Sequence, residues 1–488
     1  MLRAARYAVV GLWVVLLLAL ARSHLPSTAV VTTQAPGAIA AAAGEDWMGL
    51  YMRGEKIGYT HSRTRPVDGG FQFEETSHMR LSVLDQVQTV HAVIDATTAP
   101  DYSLRRFQIS LDSGVGAFSV HGTVDGTALQ LRTTAGGQNT DQALDLSGPL
   151  FLPSSARAHL HAAGLAPGAA VTLQVFDPAG MEYQPLQARV VAREGLTVDG
   201  TTRDAWKVVE SFRGIDSTVW LDDAGHALRE EGPMGLTAVR ESAQQAVGEG
   251  WSANAFDLMS AVAVRVEPPL EAPRERQQLR LRLGGLGDLT VPADRRQTYR
   301  DGVLDITREP LGRAAYTLPY QGEDWRPELQ ATPFLQVDHP RIQALATEIA
   351  AGERDPVRVA QRVRDWVFEE LEKRPAATIP NALQVLDMRA GDCNEHAVLF
   401  AALARAAGLP ARVVAGLVYA DGAFLYHAWN EVWIGSGWLS VDAALDQIPV
   451  DATHVKLVEG GPEKHAALIP VIGRLTIDLL PEPVVQPR

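Results

Sequence analysis

Cysteine is almost missing: Cys393 is the only one in 488 residues. One thiol forms no internal disulfide, so a small stapled scaffold is excluded and the fold must rest on its apolar cores. Charged residues are also sparse, at 21%, with a formal net charge of −14. No basic run is interleaved with aromatic residues, and an acidic surface repels phosphate backbones, so nucleic acid is not an expected partner. Two close Cys/His pairs of the kind a structural zinc site needs are absent, as is any short-period repeat. Long apolar runs are scarce too. The longest covers Tyr7 to Ala21, preceded by Arg3 and Arg6 and closed by Arg22. At about 1.5 Å of rise per residue it is short for a bilayer core of roughly 30 Å, and it matches the apolar part of a signal peptide. Residues 1–22 are therefore expected to be a signal peptide, with Ala19-Leu20-Ala21 as cleavage site, or a signal anchor followed by a flexible linker over 23–46. Either sends the remainder out of the cytoplasm, to a periplasmic or extracellular location.

What is present is apolar material, 46% of the chain, enough for two or three domains. Residues 47–265 alternate with period two, as in "MRLSVLDQVQTVHAV", where Met79, Leu81, Val83, Val87 and Thr89 share one face. Asp68-Gly69, Asp125-Gly126 and Asp199-Gly200 fall between such runs, where tight hairpins need them. An antiparallel β domain is predicted there, serving as a binding module or as a spacer. The stretch "EPPLEAPRERQ" marks a boundary, and 266–337 reads as a β-rich connecting segment. The period then changes. Ile342, Leu345, Ala346 and Ile349 share a helical face, and Asp355-Pro356 opens a second helix that buries Val359, Val363, Trp366 and Val367. Residues 338–480 are a second domain and 481–488 a tail.

"DCNE", residues 392–395, fits a capping box, which makes Cys393 the first residue of a helix that Gly408 and Pro410 end. The positive end of that helix is expected to lower the thiol pKa. Downstream, "FLYHAWNEVWIGSGWLSVD" reads as a hairpin that brings His427 and Asp442 together on neighbouring strands. A thiol, an imidazole and a carboxylate in this order suit nucleophilic catalysis: the ring handles the proton and the carboxylate orients the ring.

The stretch from Gly391 to Asp442 resembles the transglutaminase-like core of the papain-type cysteine enzymes. The likeness rests on Gly391, Cys393, "LFAALARAAGLPARVVAGLVY", His427-Ala428-Trp429, Glu431-Val432-Trp433, Gly437-Trp438 and Val441-Asp442. The resemblance implies an α+β fold, with a papain-like core behind the antiparallel sheet domain. It assigns Cys393 as nucleophile, His427 as general base and acid, and Asp442 as the orienting carboxylate. Family members commonly follow that aspartate with Pro-Thr; Ala443-Ala444 here is expected to loosen the turn holding Asp442. No loop has calcium-ligand spacing, so calcium dependence is not carried over, and no metal or other cofactor is expected.

The implied chemistry is acyl transfer or hydrolysis on protein or cell-envelope peptide amides through a thioester at Cys393. The competing reading is a non-catalytic envelope scaffold using the same fold. Trp429 and Trp433 are the candidate substrate-binding residues, set against ordinary core packing. His396 could complete a zinc site with Cys393 and His427, but reads better as a core or cleft-lining side chain. His454 could close the site from a later strand, with an ordinary surface histidine as the simpler reading. The Cys393 amide is the candidate oxyanion donor, and Gln384 is expected to point away.

Overall fold

The computed structural model describes residues 44–481 except 84–85, 114–116, 136–137, 178–181, 199, 213–214, 249–261 and 375–380. The apolar N-terminal run and residues 23–43 of the linker expected over 23–46 lie outside the described residues, and 44–46 instead open the first strand, Gly44–Met52. Among those described, no helix is long and apolar enough to cross a membrane. The fold is α+β, with large antiparallel sheets, and the chain divides at residue 258 into two compact units.

Among the described residues, the N-terminal unit is one sheet of 15 strands, antiparallel throughout except that the short strand Leu150–Phe151 pairs in parallel with Ala170–Asp177. Gly44–Met52 pairs with Glu55–Val67 on one side and with Leu236–Arg240 on the other, so the first strand joins the two halves of the sheet. Gly69 and Gly126 hold the positive φ that their hairpins require. The run around residue 85 departs from the expected single alternation. It is two strands, Gly70–Val83 and Gln86–Thr98. Met79 and Leu81 are buried on the first, whereas Val87 is half exposed and Gln88 and Val90 point inward on the second. The inward face is reset between the two strands, which a periodicity read straight across both misses.

In the C-terminal unit, helices α1 (Pro340–Ala350), α2 (Pro356–Glu370) and α3 (Ala382–Met388) surround α4 (Cys393–Ala406). Asp355 caps α2 through the amides of Val357 and Arg358. α4 lies on a sheet whose central strands are β1 (Ala411–Ala420) and β2 (Ala423–Trp433), with β3 (Trp438–Val441) returning beside β2 and β4 (Val455–Glu459) beside β1. Ala428, Val432 and Ile434 meet Val398, Leu399, Phe400 and Leu403 in a dry core. At roughly 25 cal/mol per Å² of apolar surface removed from water, that interface is what fixes α4 against β2. Residues 266–337 contribute Gln278–Gly284, which pairs with Thr476–Leu479 near the end of the chain.

Candidate active site

The capping box forms. The Asp392 carboxylate accepts from the amides of Asn394, at 3.0 Å, and Glu395, and the Asp392 amide donates to Glu395 Oε2 at 3.0 Å. Gly391 is required beneath it, because a Cβ there would lie 2.3 Å from Glu395 Cβ. Cys393 therefore opens α4, with only 5% of its surface exposed. Its Sγ accepts a hydrogen bond from the amide of Ala428 at 3.0 Å. The sulfur thus sits against the part of β2 that carries His427.

β2 and β3 form the expected hairpin. His427 Nε2 and Asp442 Oδ2 are 2.7 Å apart, and both residues are buried. The turn after Asp442 is not loosened by Ala443-Ala444. Oδ1 accepts from the amides of Ala444 at 2.8 Å and Leu445 at 2.9 Å, and the Asp442 and Gln447 backbones exchange two hydrogen bonds. Oδ2 also faces His454 Nε2 at 3.1 Å. Burial alone would push Asp442 up; the charge of His427 and the hydrogen bonds from His427 and His454 outweigh it and hold the carboxyl well below its usual range.

The thiol behaves differently from the sequence expectation. Burial pushes Cys393 well above its ordinary value, the carboxylates of Asp392, Asp442 and Glu395 add to that, and the Ala428 amide opposes it. Loss of water around the sulfur, a tertiary effect, overrides the helix start.

Two further histidines flank this line. His396 is buried with Nδ1 2.6 Å from the Asp392 carbonyl oxygen, and burial pushes it down to about 4, so it is neutral. His454 is not a surface residue: it is fully buried immediately before β4. Gly416 makes that position possible. A Cβ there would lie 1.9 Å from the Val455 carbonyl oxygen, so only glycine lets β4 approach β1 so closely. Asp451 accepts from Thr453 and Gln447 and faces His454 Nδ1 at 3.3 Å. Sequence raised His454 only as the lesser of two readings and did not name Asp451; the available signal was an aspartate three residues before a histidine at a strand start.

The tryptophans do not line an open groove at the sulfur. Trp429 is 1% exposed, packs with Val414 and Val450, and presents its rings to His427 and His454. Trp433 lies six residues from His427, roughly 20 Å along the strand, where its ring packs tilted against Trp325 and edge-on against Trp438. Gln384 is buried in α3.

Among the described residues, two sets of side chains converge as metal ligands could: His427, Asp442 and His454, and Asp294, Glu431 and Glu459. In the first, the atoms are already joined by hydrogen bonds to one carboxylate oxygen. In the second, the Lys456 ammonium sits 2.8 Å from both Glu431 and Glu459 and against Asp294, where a cation would be.

The transglutaminase-like superfamily model matches residues 343–443, which span α1 to the residue after Asp442. Residues 343–443 belong to the transglutaminase-like superfamily. The chain is 35% identical over 127 residues to a protein-glutamine gamma-glutamyltransferase of Pseudomonas aeruginosa, covering 23% of this chain and 19% of that protein. It is 26% identical over 171 residues to an uncharacterized protein of Haemophilus influenzae, covering 28% of this chain and 46% of that one. The chain thus spans less than half the length of either relative. Among solved structures, a β-barrel-like protein of a domain of unknown function from Brucella abortus aligns with 41% of this chain and 95% of its own, at 11% identity and a TM-score of 0.33. The transglutaminase-like core is therefore the region in which the thiol, imidazole and carboxylate come together.

Proposed function

We propose that the core is a thiol acyl-transfer centre acting on amides of proteins or cell-envelope peptides, with the glutamine side-chain amide as the preferred class. Sγ of Cys393 attacks the amide carbon while His427 takes the thiol proton. The C–N bond then breaks, the leaving ammonia or amine receives that proton, and a thioester remains on Cys393. Water or a second amine attacks the thioester and regenerates the thiol. With Nε2 held by Asp442, Nδ1 is the ring nitrogen that exchanges the proton. The Cys393 amide at the helix start serves as oxyanion donor. The observation that carries the reading is the convergence of two contacts, His427 on Asp442 at 2.7 Å and Ala428 on the sulfur at 3.0 Å.

The preference for glutamine follows the name of the Pseudomonas relative. A second reading, a non-catalytic scaffold, is favoured by the burial of the sulfur and its upward pKa shift. Incubating the full chain with a glutamine-containing peptide separates them. Catalysis gives ammonia release and an acyl adduct on Cys393 that are both lost in Cys393→Ala; neither signal in the parent protein leaves the scaffold reading. We further propose export through residues 1–22, with membrane attachment if they are retained. Fractionation of cells producing the full chain tests this, and a cytoplasmic pool alone would refute it.

A further inference from the structure

Behind the Cys-His-Asp line lies a second pair that the proposed reaction does not use. His454 is completely buried, and each ring nitrogen meets a carboxylate: Nε2 is 3.1 Å from Asp442 Oδ2 and Nδ1 is 3.3 Å from Asp451 Oδ1. An ionised carboxylate only accepts, whereas a neutral imidazole has one N–H to donate. Both contacts are satisfied together only by the doubly protonated ring. The carboxylates are suited to this. For Asp442 and Asp451 alike burial opposes ionisation, but the histidines and other donors outweigh it and hold both well below the usual range.

The remaining surroundings leave that charge in place. Trp429 presents an edge to the ring at 5.3 Å, and the His427 ring lies at 5.8 Å. The Arg296 guanidinium faces the loop, but it is paired with Glu309 at 2.9 Å and donates to the backbone carbonyls of Val450, Asp451 and His454.

We propose that His454 is a positioning residue of the site: a buried imidazolium, clamped by Asp451, that holds Asp442 Oδ2 for His427 and offsets the Asp442 charge felt by the Cys393 sulfur. The proposal rests on the acyl-transfer reading for its purpose, but its physical content is independent of turnover. The Asp442 charge disfavours the thiolate. A cation held against the same oxygen weakens that effect, so removing it must make the thiolate harder to form.

Two measurements on the full chain test this. The first is the ¹⁵N spectrum of the histidine rings at pH 7.5, assigned with His454→Gln, in which His454 is expected to show a proton on both nitrogens. The second is iodoacetamide labelling against pH, which reports on Cys393 alone because it is the only cysteine. Asp451→Asn removes the partner charge while a neutral His454 still donates to Asp442. In that variant and in His454→Gln, the labelling profile is expected to move to higher pH, with a rate at pH 8 on the order of tenfold lower. A merely structural role would leave the profile of a folded variant unmoved. A single ring proton on His454 in the parent, or unshifted profiles in variants whose thermal unfolding shows them folded, overturns the proposal. Should His454→Gln not fold, Asp451→Asn and the parent spectrum decide. Absence of turnover on glutamine peptides would remove the catalytic reading while leaving both of these outcomes readable.

Discussion

Asp442→Asn changes one atom type and should cost far more than a surface substitution. The carboxylate accepts four hydrogen bonds, two at Oδ1 from the amides of Ala444 and Leu445 and two at Oδ2 from His427 and His454. An asparagine has one accepting oxygen. Whichever way its amide is turned, its NH₂ faces two donors, so two hydrogen bonds are lost. Hydrogen bonds to a charged group contribute about 1.5–3 kcal/mol each, so the expected loss is about 3–6 kcal/mol. A domain is typically stable by about 5–15 kcal/mol, so the C-terminal unit should survive the change, close to its limit. Urea unfolding measures the loss, and hydrogen exchange at the Ala444 and Leu445 amides locates it. The difference should depend on pH with a definite sign. The folded-state pKa of Asp442 is depressed, so its contribution is present above the unfolded value of about 3.9 and fades as pH falls toward the folded value. His454 is shifted upward: burial opposes this, but Asp451 and Asp442 outweigh it. Its contribution is full below about 6.5 and is lost as pH rises through the folded value. Together they place the greatest stabilisation from this cluster between about pH 4 and 6.5. A loss below about 1 kcal/mol at pH 6, or one that persists unchanged into strong acid, would refute the four-bond carboxylate.

Cys393 in the parent protein should label more slowly at pH 7 than a free-cysteine peptide and accelerate only above the ordinary thiol value of about 8.5, since burial holds it neutral; rapid labelling at neutral pH would contradict that. Lys456→Met should cost about 3–5 kcal/mol, because it withdraws one cation from among Glu431, Glu459 and Asp294 deep in the unit; urea unfolding measures it, and a neutral outcome would mean that Arg412, which also pairs with Glu431 and Glu459, balances the acids alone. Gly391→Ala should lower stability by about 2–4 kcal/mol, combining a lost cap with overpacking against Glu395; thermal unfolding with an unchanged midpoint would show that the box has room to shift.

Local order carried much of this molecule into its sequence. The capping box needs residues three apart on one turn, and the hairpin joining His427 to Asp442 needs only alternation and a glycine turn, so each is encoded within a few neighbouring residues. Alternation across the N-terminal strands was readable for the same reason, and it failed between Gly70–Val83 and Gln86–Thr98, whose inward faces are out of step. The rest was settled only when distant segments met. Whether the thiol is charged depends on how much water the fold removes from it, which no spacing encodes. Trp429 becomes a wall and Trp433 part of a remote cluster because of what packs against each. His454 enters the site because Gly416 lets one backbone lie against another, a juxtaposition that exists only after the sheet has closed.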